Sequence, residues 1–189
     1  MTALDTAVAI PGYRSGTWVI DPTHSEVGFS VRHLMVSKVR GRFGTFHGNI
    51  VTGDNPFDSS VEATIELASI DTGNADRDAH VRSADFFDVD QHATLDYRST
   101  GVRSVGDGFI LDGELSLRGV TKQVPLHLEV TGFQANTPFG DSRVGFSATA
   151  EIDRNDFGIA FNAPLEGGGV VLANLIQISL EIEAVLQDA

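Results

Sequence analysis

The sequence contains no cysteine among its 189 residues. That removes disulfides, thiolate nucleophiles and thiolate metal sites at once, and leaves the compartment open. Although 41% of the residues are hydrophobic, no apolar run approaches the roughly 18 residues of a membrane-spanning helix. Basic residues are also scarce, 13 against 26 acidic ones, for a formal charge of −13. At long range such a chain repels phosphate backbones and anionic membrane surfaces, which argues against a nucleic-acid partner. The basic spots that remain, Arg40 with Arg42 and the neighbourhood of Arg77 and Arg82, read as solvated loop charges. Between Met1 and Ala9 there is no Lys or Arg and no apolar run before Pro11 and Gly12. The n-region and h-region of a signal peptide are therefore missing, and a cytoplasmic location is the expectation.

What is present is alternation. Val27, Phe29, Val31 and His33 alternate with Glu26, Gly28, Ser30 and Arg32. The same period of two recurs at Val61, Ala63, Ile65 and Leu67, and at Val124, Leu126, Leu128 and Val130. It returns at Phe146, Ala148, Ala150 and Ile152, and over Ile176, Ile178, Leu180, Ile182 and Ala184. Weaker strands fit at 18–21, 41–52, 95–105 and 109–117. One apolar and one wet face per segment is the requirement of antiparallel strands. Gly53-Asp54-Asn55-Pro56, Gly106-Asp107-Gly108 and Gly119-Val120-Thr121 punctuate them as turns, the second being the best hairpin candidate. Eight or more such strands suggest an all-β sheet closed on itself, which removes exposed edges. The length suits one domain over 17–189 behind a flexible N-terminal segment, 1–16.

Two segments break the pattern. Residues 74–83 read as a short helix, with Asn74 as N-cap, Asp76 and Asp78 in the first turns and Arg82 near the end, charges that complement the helix dipole. Phe86 and Phe87 follow and need burial. The stretch from Arg154 to Gly169 is a long loop carrying Phe157, Ile159, Phe161 and Leu165. Loops of that length are often functional, and closure over a ligand stands beside simple capping of a barrel end.

Screening for chemistry returns little. Ser30 and Ser147 lack the second glycine of a nucleophile elbow, and no phosphate-cradling glycine motif is present. The run from Asp153 begins like a calcium loop, but Phe157 and Pro164 occupy ligand positions. Asp85, Asp88 and Asp90 read as an acidic surface turn. His24, His33, His47, His80, His92 and His127 show no metal-ligand spacing, so only a site assembled from separate strands stays open. His33 stands apart because it continues an apolar face, either as a core residue or as a polar anchor for a ligand.

A family resemblance rests on many short motifs in order. Trp18-Val19-Ile20-Asp21 with His24-Ser25, Val27, Phe29, Val31 and His33 opens it, and Gly41-Arg42-Phe43 with Phe46 and Gly48 continues it. Ser69-Ile70-Asp71-Thr72, the run from Arg77 to Ser83, and Asp85-Phe86-Phe87-Asp88 follow. Gly113, the run from Leu115 to Lys122, and Arg154-Asn155-Asp156-Phe157-Gly158-Ile159 complete it. The chain resembles the YceI-like family over about residues 17–186. Two departures stand out: Ala93 replaces the usual proline, and Leu172-Ala173-Asn174-Leu175 is more apolar than usual, a change at the cavity mouth or an interface.

The resemblance implies an extended, lipocalin-like antiparallel barrel of about eight strands with one short helix. It implies a polyisoprenoid chain in the pore, often in a homodimer, and relatives that are frequently periplasmic or secreted. An isoprenoid lipid, a polyprenyl compound or an isoprenoid quinone, is then the expected ligand, with no further cofactor and no metal. Shared parity nominates Phe29, Val31, Ile65, Leu115, Leu117, Phe146, Ala148, Ile178 and Leu180 as the lining. His33, Phe86, Phe87, Arg154, Phe157, Ile159 and Phe161 join them as candidate ligand contacts. Two alternatives remain. One is an enzyme on a lipophilic substrate with His33 as base and Arg154 or Arg77 as anion binder. The other is a stress-related structural module without a ligand.

Overall fold

A computed structural model describes residues 9–187. In chain order the elements are β1 (Gly16–Ile20), β2 (Glu26–His33), β3 (Ser37–Phe43), β4 (Phe46–Thr52), β5 (Ser60–Glu66) and the two-residue β6 (Ile70–Asp71). Helix α1 (Ala75–Arg82) follows, then β7 (Thr94–Val105), β8 (Gly108–Leu117), β9 (Val120–Gln123), β10 (Leu126–Gln134), β11 (Arg143–Asp153) and β12 (Leu172–Leu186). Eight of the strands form a ring in the order β1-β4-β5-β7-β8-β10-β11-β12, every pair antiparallel, and β12 returns to β1 to close it. The barrel with one short helix expected from alternation and from the resemblance is the observed fold.

β12 explains why the barrel is extended. Its first residues pair with β2, Leu172 opposite His33, and its last with β1, Leu186 opposite Trp18. Its 15 residues span roughly 45 Å at about 3.3 Å each. The two ends of the barrel are therefore well separated. β2 and β3 make a ribbon beyond the ring that ends on β6, and β9 pairs with β8. The β7–β8 hairpin turns through Gly106 and Asp107, with Val105 opposite Gly108. Gly106 supplies the positive φ of +58° that such two-residue loops need at their first position.

Helix α1 starts where its cap dictates: the Asn74 side chain accepts from the Arg77 N–H at 2.9 Å. Buried Asp78 accepts from the Thr72 N–H at 2.9 Å and the Thr72 hydroxyl at 2.6 Å. Four arginines then tie the elements at this end through backbone carbonyls. Arg77 donates to Thr72, Arg82 to Ala68 and Ile70, and Arg118 to Ala84, Phe86 and Gly158. Arg154 donates to Ile159, Phe161 and Ala173. This end is closed, and Phe43, Leu67, Ile70, Leu117 and Phe157 are buried in it.

Of the N-terminal segment, residues 1–8 lie outside the described residues. Tyr13, in the remainder, packs edge-on against Phe133 with centroids 5.3 Å apart and donates its hydroxyl to the Gly53 carbonyl at 2.7 Å.

Candidate functional site

Residues of one parity on each stave face inward and leave a central cavity of about 200 Å³. Val27, Ile20, Phe46 and Ile50 line it from β2, β1 and β4; Val61, Ala63 and Ile65 from β5; Leu95, Tyr97 and Val102 from β7. Phe109, Leu111 and Leu115 of β8 continue it, with Leu126, Leu128, Val130 and Phe133 of β10, Phe146 and Ala148 of β11, and Ile178, Leu180 and Ile182 of β12. Ile10, Tyr13, Thr52, Pro56, Ser59 and Ser60 gather at the end near Trp18; Ser60 is exposed and all but Thr52 of the others are half-buried, so this end, opposite the closed one, is the mouth.

Among the described residues no charged side chain lines this space, and its inner polar groups, Thr52 and Tyr97, are already engaged. Thr52 accepts from the Trp18 indole at 2.8 Å and donates to the Arg14 carbonyl at 2.7 Å. The Tyr97 hydroxyl sits between the Val124 and Leu111 carbonyls at 3.0 and 3.2 Å. Burial, with a smaller push from Asp112, raises that phenol above its ordinary range and keeps it neutral. Among the described residues no buried side-chain nitrogen or oxygen lacks a partner. A wall with no buried polar atom to spare selects by shape and apolar surface.

Two bulges decide part of the lining. The β7–β8 register slips between Ser99 and Gly101, and the β10–β11 register between Val130 and Gly132. Each extra residue flips the parity beyond it, so Val102 and Phe133 face inward where simple alternation puts them outside. Gly113 marks a close approach: a Cβ there would lie 2.3 Å from the Tyr97 hydroxyl oxygen and 2.8 Å from the Arg98 carbonyl oxygen. The ring of Tyr97 occupies the space a side chain at 113 would need.

The sequence-nominated residues fall into three places. Ile65, Leu115, Phe146, Ala148, Ile178 and Leu180 line the cavity. Phe29 has the right parity but packs on Phe43 (5.8 Å), which in turn meets Phe87 (6.0 Å). Those three rings, with Leu117, belong to the closed end, and Val31 is buried further along β2. His33 pairs with Ser37 and Leu172 at the far tip of the β2–β3 ribbon and does not reach the cavity.

The third group is the 154–169 loop and its neighbours. It opens with a short 3-10 turn over Arg154–Phe157, and Pro164 later bridges to Val170. Phe157 and Ile159 are buried, and none of the loop's side chains lines the cavity. The loop caps the closed end, away from the mouth. Phe161 forms an aromatic cluster with His80 and Phe86, centroids 5.0 to 5.3 Å apart. Arg154 is 3% exposed and its guanidinium is turned onto backbone carbonyls, so its charge is spent on the loop itself. Desolvation lowers its pKa from the ordinary arginine value, against a weaker opposing pull from Asp153. Arg77 is engaged likewise, by the Thr72 hydroxyl at 2.7 Å and carbonyl at 2.8 Å.

Among the described residues one titratable cluster assembles from the β1–β2 connection and β12. Asp21, His24 and Glu183 bring their ligand atoms within 4.8 Å of one another. Arg143 occupies the middle, 3.1 Å from Asp21, 2.9 Å from Asp141 and bonded to Glu183. The guanidinium neutralises the carboxylates where a metal ion would have to sit. The His24 ring, 2.8 Å away, is the main cause that holds the Asp21 carboxyl below its usual range, and Arg143 does so for Asp141.

Residues 18–184 match the YceI-like domain family. A UPF0312 protein of Vibrio parahaemolyticus is 35% identical over 97% of this chain and 95% of its own length. Another, from Pseudomonas paraeruginosa, is 39% identical over 72% of this chain and 71% of its own. Among solved structures, BcnA of Burkholderia cenocepacia superposes with a TM-score of 0.73 at 18% identity, covering 87% of this chain and 98% of that one. A polyisoprenoid binding domain from Saccharophagus degradans, implicated in plant cell wall breakdown, gives 0.69 at 16% identity over 92% and 100%.

Proposed function

The chain belongs to the YceI-like domain family, and from that premise we propose that its barrel holds an isoprenoid lipid as a carrier or storage protein. The observation that carries this reading is the lining. A tube of aliphatic and aromatic side chains, whose inner polar groups Thr52 and Tyr97 are committed to protein carbonyls, offers little to a polar substrate. Such a wall gains from every methylene that enters it. A five-carbon isoprene unit contributes up to roughly 4 kcal/mol at about 0.8 kcal/mol per carbon, with the total limited by the cost of immobilising the chain.

The cavity volume bounds what fits at rest. An apolar cavity of about 150 Å³ takes benzene, so 200 Å³ accommodates one isoprene unit and part of a second. A longer chain must turn side chains such as Phe146 aside or leave its remainder in the mouth. The proposed head-group position is therefore the mouth, beside Tyr13, Thr52, Ser59 and Ser60. The proposed chain contacts are Ile65, Leu115, Phe146, Ala148, Ile178 and Leu180. Membership in the family and the likeness to a polyisoprenoid binding domain support this reading.

Organic extraction of the purified protein followed by lipid mass spectrometry tests it. The expected result is a prenyl compound in near-stoichiometric amount. A protein that yields no lipid, and takes up none from prenyl alcohols in detergent, would refute it.

A further inference from the structure

The cationic side chains of this acidic protein are not spread evenly. Between Glu26 and Asp54 there is no acidic residue at all, whereas Arg32, Lys38, Arg40 and Arg42 fall inside that stretch. In the β2–β3 ribbon Arg32 stands directly opposite Lys38, with Arg40 and Arg42 at the next outward positions. Like charges facing across a ladder destabilise it. Among the described residues Arg42 pairs with Asp71, and Arg32, Lys38 and Arg40 have no ion-pair partner.

The tip of the same ribbon is apolar and exposed: Leu34 is 39%, Met35 57% and Val36 81% accessible. Leu34 and Met35 also hold φ values of 52° and 60°, a left-handed backbone that favours glycine or asparagine. A strained turn that displays aliphatic side chains to water is poor turn chemistry. Val170 and Leu175, near the point where β12 meets β2, add further exposed apolar surface.

We infer that this ribbon docks the protein on an anionic phospholipid surface. Leu34, Met35 and Val36 enter the head-group and acyl boundary, and Arg32, Lys38 and Arg40 lie against the phosphates. Apolar side chains flanked by unpaired cations are the composition that interfacial binding requires. Nucleic acid would use the cations but leave the aliphatic tip in water. The repulsion from the overall negative charge is weak at the ribbon, because charges more than about 8 Å away are largely screened at physiological ionic strength. The patch is confined to the ribbon, since the turn after α1 carries Asp85, Asp88 and Asp90. It sits at the end of β12 opposite the mouth, so this inference is independent of what the cavity holds, and a docked protein turns its mouth away from the bilayer.

Sedimentation with vesicles tests it, using the full chain and pure phosphatidylcholine against the same lipid with about one third phosphatidylglycerol. The expected result is binding to the anionic vesicles alone, lost on raising the salt. Leu34→Asn with Met35→Gly and Val36→Ser suits the turn's backbone and should keep the fold while lowering binding more than about tenfold. Arg32→Glu gives Lys38 an opposite charge across the ladder, so the ribbon persists while binding falls severalfold. Phe139→Ser, at the mouth end where Phe139 is 82% exposed, should change nothing. Absence of binding, equal binding to both vesicles, or a tip variant that binds like the parent would overturn the inference. So would a Phe139→Ser variant that fails to bind. If the tip variant instead converts a dimer to a monomer without lipid, the patch is a contact between copies and the inference also falls.

Discussion

Ala148→Phe should abolish most lipid binding while making the empty protein no less stable. Ala148 is 5% exposed, faces the cavity from β11 and lies opposite Leu128 and Leu180 in the ladders. A phenyl ring needs about the space of benzene, for which an apolar cavity of about 150 Å³ suffices. It would thus fill some three quarters of the 200 Å³ available. The space lost is that of about one isoprene unit, worth up to roughly 4 kcal/mol of burial. Some of the chain can shift toward the mouth, so the loss in affinity should be about tenfold to a thousandfold. The effect on the fold has the opposite sign, because the new ring buries apolar surface in a void and the melting temperature of delipidated protein should hold or rise. Fluorescence titration with a prenyl probe and thermal melting of the same preparation read both quantities. A folded variant whose affinity changes less than about twofold would show that the chain does not occupy this space.

Other consequences follow from single contacts. Phe146→Asp puts an unpaired carboxylate into the apolar wall at a cost of several kcal/mol, so the variant should unfold readily or lose its lipid; unchanged melting and lipid content would disprove the placement. Arg154→Met orphans the carbonyls of Ile159, Phe161 and Ala173, which should cost roughly 3 kcal/mol and speed amide exchange over 154–169. Because the loop is remote from the cavity, the lipid off-rate of the folded fraction should stay put, and a faster off-rate would restore the loop as a lid. Asp21 and Asp141 have pKa values below the ordinary carboxylate range. Depressed folded-state values stabilise the protein above about pH 4, and that stability is lost as pH falls through them. Arg143→Met should therefore lower the melting temperature at about pH 7 by more than at about pH 3, and a pH-independent gap would contradict the network.

Face was legible in the sequence; height along the barrel was not. The alternation of Phe146, Ala148, Ile178 and Leu180 survives in the structure because β11 and β12 pair without a slip from Arg143 to Asp153. Phe29 and Leu117 share that parity, yet both belong to the closed end, since parity says nothing about distance from the mouth. Val102 and Phe133 were hidden by two bulges, and the strand glycines beside them, Gly101 and Gly132, are the signal that could have marked both. Tyr13 lies in a stretch read as flexible, and only the long-range contacts with Phe133 and Gly53 reveal its place at the mouth. Arg154, an anion binder in the alternative enzyme reading, could not be placed from sequence because its partners are backbone carbonyls, which every residue carries. The helix at 75–82 was readable for the opposite reason, as its cap and charges are local.

The most direct measurement is the position of the bound chain. Methyl-labelled protein loaded with a prenyl alcohol should give nuclear Overhauser contacts from the chain to Ala148, Ile178 and Leu180, all in the cavity wall. Contacts confined to exposed methyls such as those of Leu34 and Val36, with none from the wall, would contradict a lipid held inside the barrel.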